Sequence, residues 1–522
     1  MRTNRPAQAP ADAAAAGVDD PRRRRAVLIA VCVALMAVIA SVSGLNVAQP
    51  DLAVAFDASQ STVLWIINIY TLVLAALLLP LGALGDRWGR RPVLLTGLVV
   101  FGAASAAAGL APSAEVMLAA RLLSGVGAAM IMPVTLAVIT STFPEGERGR
   151  AIGVWTGVAG GGGVLGMFLS AALVDVASWR WLFVLPVALV VAAVAMTLRS
   201  VPDSRDASRR RFDTIGSLAS VVAVVGIIYA LQEGPERGFT APVTLLSLLI
   251  GVIAAAGFVL WELRRHAPLL DVRLFRERGL ASGSVALLVV FGVQAGIFVV
   301  LFPFFQAVLG WSGLLSTLAL MPMALLMMVT SGLAPRVAER VGSRSTMAAG
   351  IVVGGAGLAL MAGFVSVGGG YVSVLPGMLA MGIGMGLTMT PSTEAITGAL
   401  PRERQGVASA LNDVTREFGT ALGVAVLGSL LTAGYRDAIG SRLDGVPERA
   451  AGPAREGIAN ALEAAPQAGS HAHALVRDAQ QSFVDGWQQA MWAGVAVMAV
   501  LFVFVVTRGP VRPAEPVEAT RV

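Results

Sequence analysis

The feature that most constrains this chain is a succession of long apolar runs, each close to the ~20 residues a helix needs to cross roughly 30 Å of hydrocarbon. They fall near 26–48, 62–84, 93–111, 116–140, 150–173 and 180–198, then 214–232 and 241–263. The last six lie near 281–306, 313–335, 346–366, 372–397, 407–433 and 487–507. Within hydrocarbon every main-chain polar group must be satisfied by the protein itself, so runs of this length predict helices. The expected fold class is therefore an all-α integral membrane protein with fourteen transmembrane helices. Composition agrees: 13% of the 522 residues are charged, where a soluble domain carries about a quarter, and mean hydropathy is +0.76. Arg22–Arg25 ahead of the first run imitate a secretory signal. The run is longer than a signal core and more spans follow, so it reads as the first helix.

All 38 basic residues are arginine, and they sit beside the spans rather than forming a nucleic-acid patch. Arg22–Arg25, Arg87, Arg90, Arg91, Arg148, Arg150, Arg209–Arg211, Arg264, Arg265, Arg336, Arg340, Arg402 and Arg404 share one side. The short loops opposite hold only Arg180 and Arg237. By the positive-inside rule both termini are expected in the cytoplasm of a bacterial inner membrane. The long outer loop 434–486 reads as a loose or partly helical cap. A single cysteine, Cys32, excludes an intrachain disulfide, and His266, His471 and His473 all lie between spans. No phosphate loop, thiol cluster or HExxH is present, so neither an enzyme nor a metal or cofactor requirement is expected.

Two loops repeat. Gly82-Ala-Leu-Gly-Asp86-Arg87-Trp-Gly89-Arg90-Arg91 follows the second span, and Ala338-Glu339-Arg340-Val-Gly342-Ser-Arg344 follows the tenth. Both read acid–Arg–x–Gly–x–Arg. If spans 9–14 repeat spans 1–6, the two strings occupy equivalent loops, as in transporters built from parallel six-helix repeats. The implied division is a tail 1–25, a six-helix bundle 26–200, a linker 201–278 with two inserted helices, a second bundle 279–507, and a tail 508–522.

At this point the chain resembles the major facilitator superfamily, and within it the fourteen-span drug:proton antiporters of the EmrB/QacA type. In that resemblance Gly82, Asp86, Arg87, Gly89, Arg90 and Arg91, with Arg148 after the fourth span, form a latch between the halves. Arg121-Leu-Leu-Ser124-Gly125-Val-Gly127 is similar to the family's Arg-x-x-Gln-Gly-x-Gly, whose arginine is tied to proton transfer. An arginine inside a span costs at least about 2.5–3.5 kcal/mol on insertion scales, so it should face a polar partner. Phe212-Asp213-x-x-Gly216 and Leu231-Gln232-Glu233-Gly234 around the seventh span, and Gly406 to Gly419 in the thirteenth, are similar to the fourteen-span branch.

The chain departs from the family pattern at two places. Asn46-Val-Ala-Gln-Pro50 matches the first helix, but Ser41 stands where the branch carries an aspartate. The helix-five signature keeps Gly157, Gly160–Gly163 and Gly166, yet Met167 replaces its proline. Serine cannot titrate, so proton coupling falls to Asp413, Arg416 and Glu417 in the thirteenth span, with Glu394 in the twelfth and Arg121. Asp413 and Arg416, three apart, share a helix face. Asn46, Trp65, Asn68, Tyr70, Trp155, Gln294, Phe298, Gln306 and Asn412 are the candidate substrate contacts, sparse polar groups among adaptable apolar ones. The function implied is export of small amphipathic organic compounds (drugs or antibiotics) by proton antiport through alternating access, with the proton gradient as energy source. The expected partners are substrate, protons and lipid, the protein acting as a monomer. A metabolite importer or facilitator of the same fold, or a membrane sensor, is the alternative.

Overall fold

In a computed structural model, residues 20–176, 178–204, 212–266 and 268–510 are described; most of the two tails, 1–25 and 508–522, lies outside them. The first part comprises α1 (Pro21–Val47), α2 (Gln49–Phe56), α3 (Gln60–Trp88), α4 (Arg90–Gly109), α5 (Ala114–Thr142), α6 (Glu145–Val176) and α7 (Val184–Ser200). The inserted pair is α8 (Thr214–Arg237) and α9 (Pro242–Arg264). Then come α10 (Arg278–Pro303), α11 (Gly313–Val341), α12 (Ser343–Phe364), α13 (Gly370–Gly398), α14 (Gln405–Gly440), α15 (Glu448–Glu456), α16 (Ile458–Ala464) and α17 (Ala472–Arg508). Among the described residues, fourteen helices are long and apolar enough to cross a membrane, as the hydropathy pattern requires.

Local chemistry sets the ends of these helices. Ser59, Ser113 and Ser312 cap α3, α5 and α11, each hydroxyl accepting from an amide in the first turn, which satisfies a donor the helix leaves orphaned. α3 and α11, each 29 residues long, end at Gly89 (φ 108°) and Gly342 (φ 90°). Only glycine enters that backbone region without strain, and the shared turn makes the repeated loops structural equivalents.

One group of helices packs α1 on α6 and α7, and α5 on α3 and α4; the other packs α10 on α14, α12 on α13 and α17, and α11 on α13. The groups meet along two seams, α3 against α14 and α6 against α11. Glycine makes both possible, because a helix can approach another closely only where side chains are absent. A Cβ on Gly82 would lie 2.6 Å from the Gly406 carbonyl oxygen, and one on Gly153 would lie 2.6 Å from that of Ser331. The glycine run of α6 therefore has a packing role. Gly153 and Gly157 face α11, while Gly162 and Gly166 face Met36 and Ala40 of α1. α6 runs unbroken through Met167.

The inserted pair is not a mere linker. α8 lies on α3 and α14 together, burying Val224 and Ile228 against Leu72, Ala75 and Ala76, while α9 exposes Leu246, Leu249, Ile253 and Leu260. The long loop 434–486 is largely helical. α14 continues to Gly440, α15 and α16 follow, and α17 begins at Ala472. Alanine, the strongest helix former, also supplies its small core at Ala450, Ala451, Ala454, Ala461 and Ala464. Tyr435 donates its hydroxyl to the Ala454 carbonyl at 2.8 Å, and Arg442 pairs with Asp485 at 2.8 Å.

Candidate coupling site and gate

The repeated loop after α3 builds a clasp. Asp86 is 5% exposed and its Oδ1 accepts from Arg90 Nη2 at 2.9 Å and from the Gly406 amide at 2.8 Å. Oδ2 accepts from the Val407 amide at 3.2 Å. Gly406 and Val407 open α14, so the carboxylate caps a helix of the opposite half, where unpaired amides and the helix dipole favour negative charge. Arg90 Nη2 also donates to the Arg402 carbonyl at 2.9 Å. Arg91 instead ties the turn to the Leu198 carbonyl at 2.7 Å, and Arg87 is exposed. In this conformation the arginine-rich face is shut along α3–α14.

Arg148 does not join this clasp. It lies at the start of α6, beside a cavity of about 450 Å³ that Glu339 of the second repeated loop and Glu394 of α13 also line. The reason is the twofold repeat: α6 stands to Glu339 as α14 stands to Asp86. Here the acid leaves an opening, and Arg148 Nε and Nη2 and Glu394 Oε1 are buried without hydrogen-bond partners.

Deeper in the seam are the charges expected to couple transport. Arg121 on α5 is 1% exposed, donating from Nη1 to Ser41 Oγ at 3.0 Å and from Nε to the Ile66 carbonyl at 3.3 Å. Its guanidinium lies 4.3 Å from the Tyr70 ring centroid. Ser41 thus keeps its contact with Arg121 while supplying a dipole rather than a charge. On α14, Asp413 Oδ1 accepts from Arg416 Nη1 at 3.5 Å and from Asn412 Nδ2 at 3.3 Å, leaving Oδ2 unpartnered. Arg416 lies 4.5 Å from the Phe291 ring and 5.6 Å from that of Trp155 across the seam. Trp155 is held by its indole N–H on Thr135 at 3.1 Å. Glu417, next on the helix, interacts electrostatically with Arg416, Asp413 and Tyr70. Asp413, Arg416 and Glu417 thus share one face of α14, and Tyr70, which Arg121 covers, also interacts with Glu417.

The remaining candidates scatter. Tyr70 and Trp155 are fully buried supports of the two arginines. Trp65 stacks on Tyr229 of α8 with centroids 5.6 Å apart, so it faces the inserted pair. Gln294 reaches Met327 Sδ at 3.9 Å, and Phe298 packs partly buried on the main core. Gln306 sits in the π-helical turn that ends α10. Asn68 is half-buried, and the Asn46 side chain lies outside the described residues. Glu233 of the Leu231–Gly234 motif is 7% exposed within α8, paired with Arg237. Sequence reasoning missed Glu262 of α9, buried at 0% exposure beside Asp213. The available signal was a lone glutamate near the end of an apolar run.

Fourteen candidate membrane helices in two groups that meet along two seams are the architecture of a membrane carrier. The chain belongs to the major facilitator superfamily, whose family model matches residues 31–424. It is 31% identical to the multidrug resistance protein Stp of Mycobacterium tuberculosis over 91% of this chain and 90% of that one. It is 32% identical to the tetracenomycin C resistance and export protein of Streptomyces glaucescens, over 91% and 89%. Among solved structures, the human organic anion transporter MFSD10 superposes with a TM-score of 0.62 at 15% identity, covering 93% of this chain and all of that one. The protein is thus a multi-pass membrane transporter rather than an enzyme.

Proposed function

We propose that this carrier exports small amphipathic organic compounds, drugs or antibiotics among them, in exchange for protons, using the proton gradient and no cofactor. It works as a monomer in a bacterial inner membrane with both termini in the cytoplasm. The observation that carries the reading is the buried Asp413–Arg416 pair with Glu417 beside it on α14. Protonating one acid removes a negative charge there, which disfavours a cationic substrate and lets proton and substrate exclude one another. The relatives named for multidrug resistance and tetracenomycin export support the substrate class.

The test is efflux of cationic and neutral aromatic dyes from cells lacking their own pumps, with and without a protonophore. Efflux should collapse with the protonophore, and Arg121→Ala and Asp413→Asn should each abolish it while the protein still reaches the membrane. Efflux that survives the proton leak would instead identify a facilitator, and normal efflux in both variants would remove the coupling role from this seam.

A further inference from the structure

The inserted pair carries a buried acidic site that the transport cycle described above does not use. Asp213 caps α8, its Oδ1 accepting from the Gly216 amide at 2.9 Å, and both its oxygens lie 3.1 Å from the indole nitrogen of Trp261 on α9. It is 5% exposed. Glu262, the next residue of α9, is 0% exposed and turns toward the same spot. Both carboxyls border the space a Gly216 side chain would occupy, the Asp213 Oδ2 being 3.0 Å from it. Gly216 is therefore required not for its backbone but to make room for two acids.

The indole and the Gly216 amide serve Asp213. The main-chain amides of Leu269 and Leu270 face Glu262, yet neither of its oxygens finds a hydrogen bond of proper geometry. Among the described residues, the charged groups that act on Glu262 are Asp213, from the segment before α8, and Arg404, from the turn before α14. Two ionised carboxylates this close in a buried site repel strongly, and an acid whose oxygens make no well-aligned hydrogen bond is satisfied most simply by carrying a proton and donating it.

We infer that Asp213 and Glu262 form a proton-sharing carboxyl pair, with Asp213 ionised and Glu262 holding the proton and donating it toward Asp213 Oδ2. The pair joins the start of α8 to the end of α9, and Arg404 places it two residues from Arg402, whose carbonyl the clasp residue Arg90 holds. It is a proton site separate from the coupling seam, at the base of the helix that covers α3 and α14. Raising the pH removes the shared proton and leaves two carboxylates facing one arginine, so the base of the inserted pair loosens.

Infrared spectra of the purified full-length protein test the assignment directly. Subtracting the Glu262→Gln spectrum from that of the parent at neutral pH should reveal the C=O stretch of one protonated carboxyl, and Asp213→Asn should shift that band. A difference spectrum without it overturns the proposal. If Glu262→Gln does not fold, Trp261 serves as the reporter. The part of the emission lost in Trp261→Phe should change in a single step as the parent is titrated from neutral to alkaline pH, and a flat profile overturns the pair equally.

Discussion

Replacing Asp86 by asparagine should open the arginine-rich face. The carboxylate receives four hydrogen bonds, two from Arg90 and two from the first amides of α14. Asparagine keeps one acceptor oxygen and turns an NH₂ toward donors that need an acceptor. A hydrogen bond to a charged group contributes about 1.5–3 kcal/mol and a neutral one about 0.5–1.5, so losing the charge costs ~1 kcal/mol per bond. Summed and discounted for relaxation, the clasped conformation loses about 3–4 kcal/mol, which moves a two-state equilibrium by about 100- to 1,000-fold. The chain is convenient for the measurement because Cys32 is its single cysteine. Spin labels at Trp88→Cys and Glu403→Cys, both exposed positions on opposite sides of the clasp, in a Cys32→Ser background report the separation of α3 and α14. The parent should give one short, narrow distance distribution, and Asp86→Asn a dominant longer one with slowed efflux. An unchanged distribution in Asp86→Asn would show that the clasp decorates the closed state rather than holding it.

Ser41→Asp places a carboxylate where the hydroxyl now sits 3.0 Å from Arg121. The new carboxylate pairs with Arg121 and adds an acid that must release its proton in each cycle. The pH of half-maximal efflux should move up by about one unit, the equivalent of ~1.4 kcal/mol; an unmoved profile would separate Arg121 from coupling. Gly153→Val drives a branched side chain into the Ser331 carbonyl across α6–α11, an overpacking cost of about 1–3 kcal/mol. Efflux should fall at least about tenfold with the protein still in the membrane, and parental efflux would mean that this seam never closes as tightly as seen here.

Much of the fold was legible beforehand because a span advertises itself locally. Hydrocarbon leaves the backbone no option but a helix, so fourteen runs became fourteen spans. Gly89 and Gly342 were legible as paired turns because their loops repeat, and Asp413 with Arg416 because three-residue spacing is itself a contact. Partners far apart in the chain were not legible. Nothing near Asp86 in sequence shows that its acceptors serve Gly406 and Val407, 320 and 321 residues away. The glycines of α6 could not be told apart, Gly153, Gly157, Gly160 and Gly161 facing α11 and Gly162 and Gly166 facing α1, until those neighbours had positions. Arg148 resembled its clasp counterparts in sequence yet sits at the other seam, beside Glu339 and Glu394. Glu262 read as one stray acid until folding set it against Asp213. Hydropathy and spacing fix what each segment must be, since those constraints act within a few residues. Which charge meets which is decided only when the helices pack, because a buried charge takes its character from neighbours that the chain brings from elsewhere.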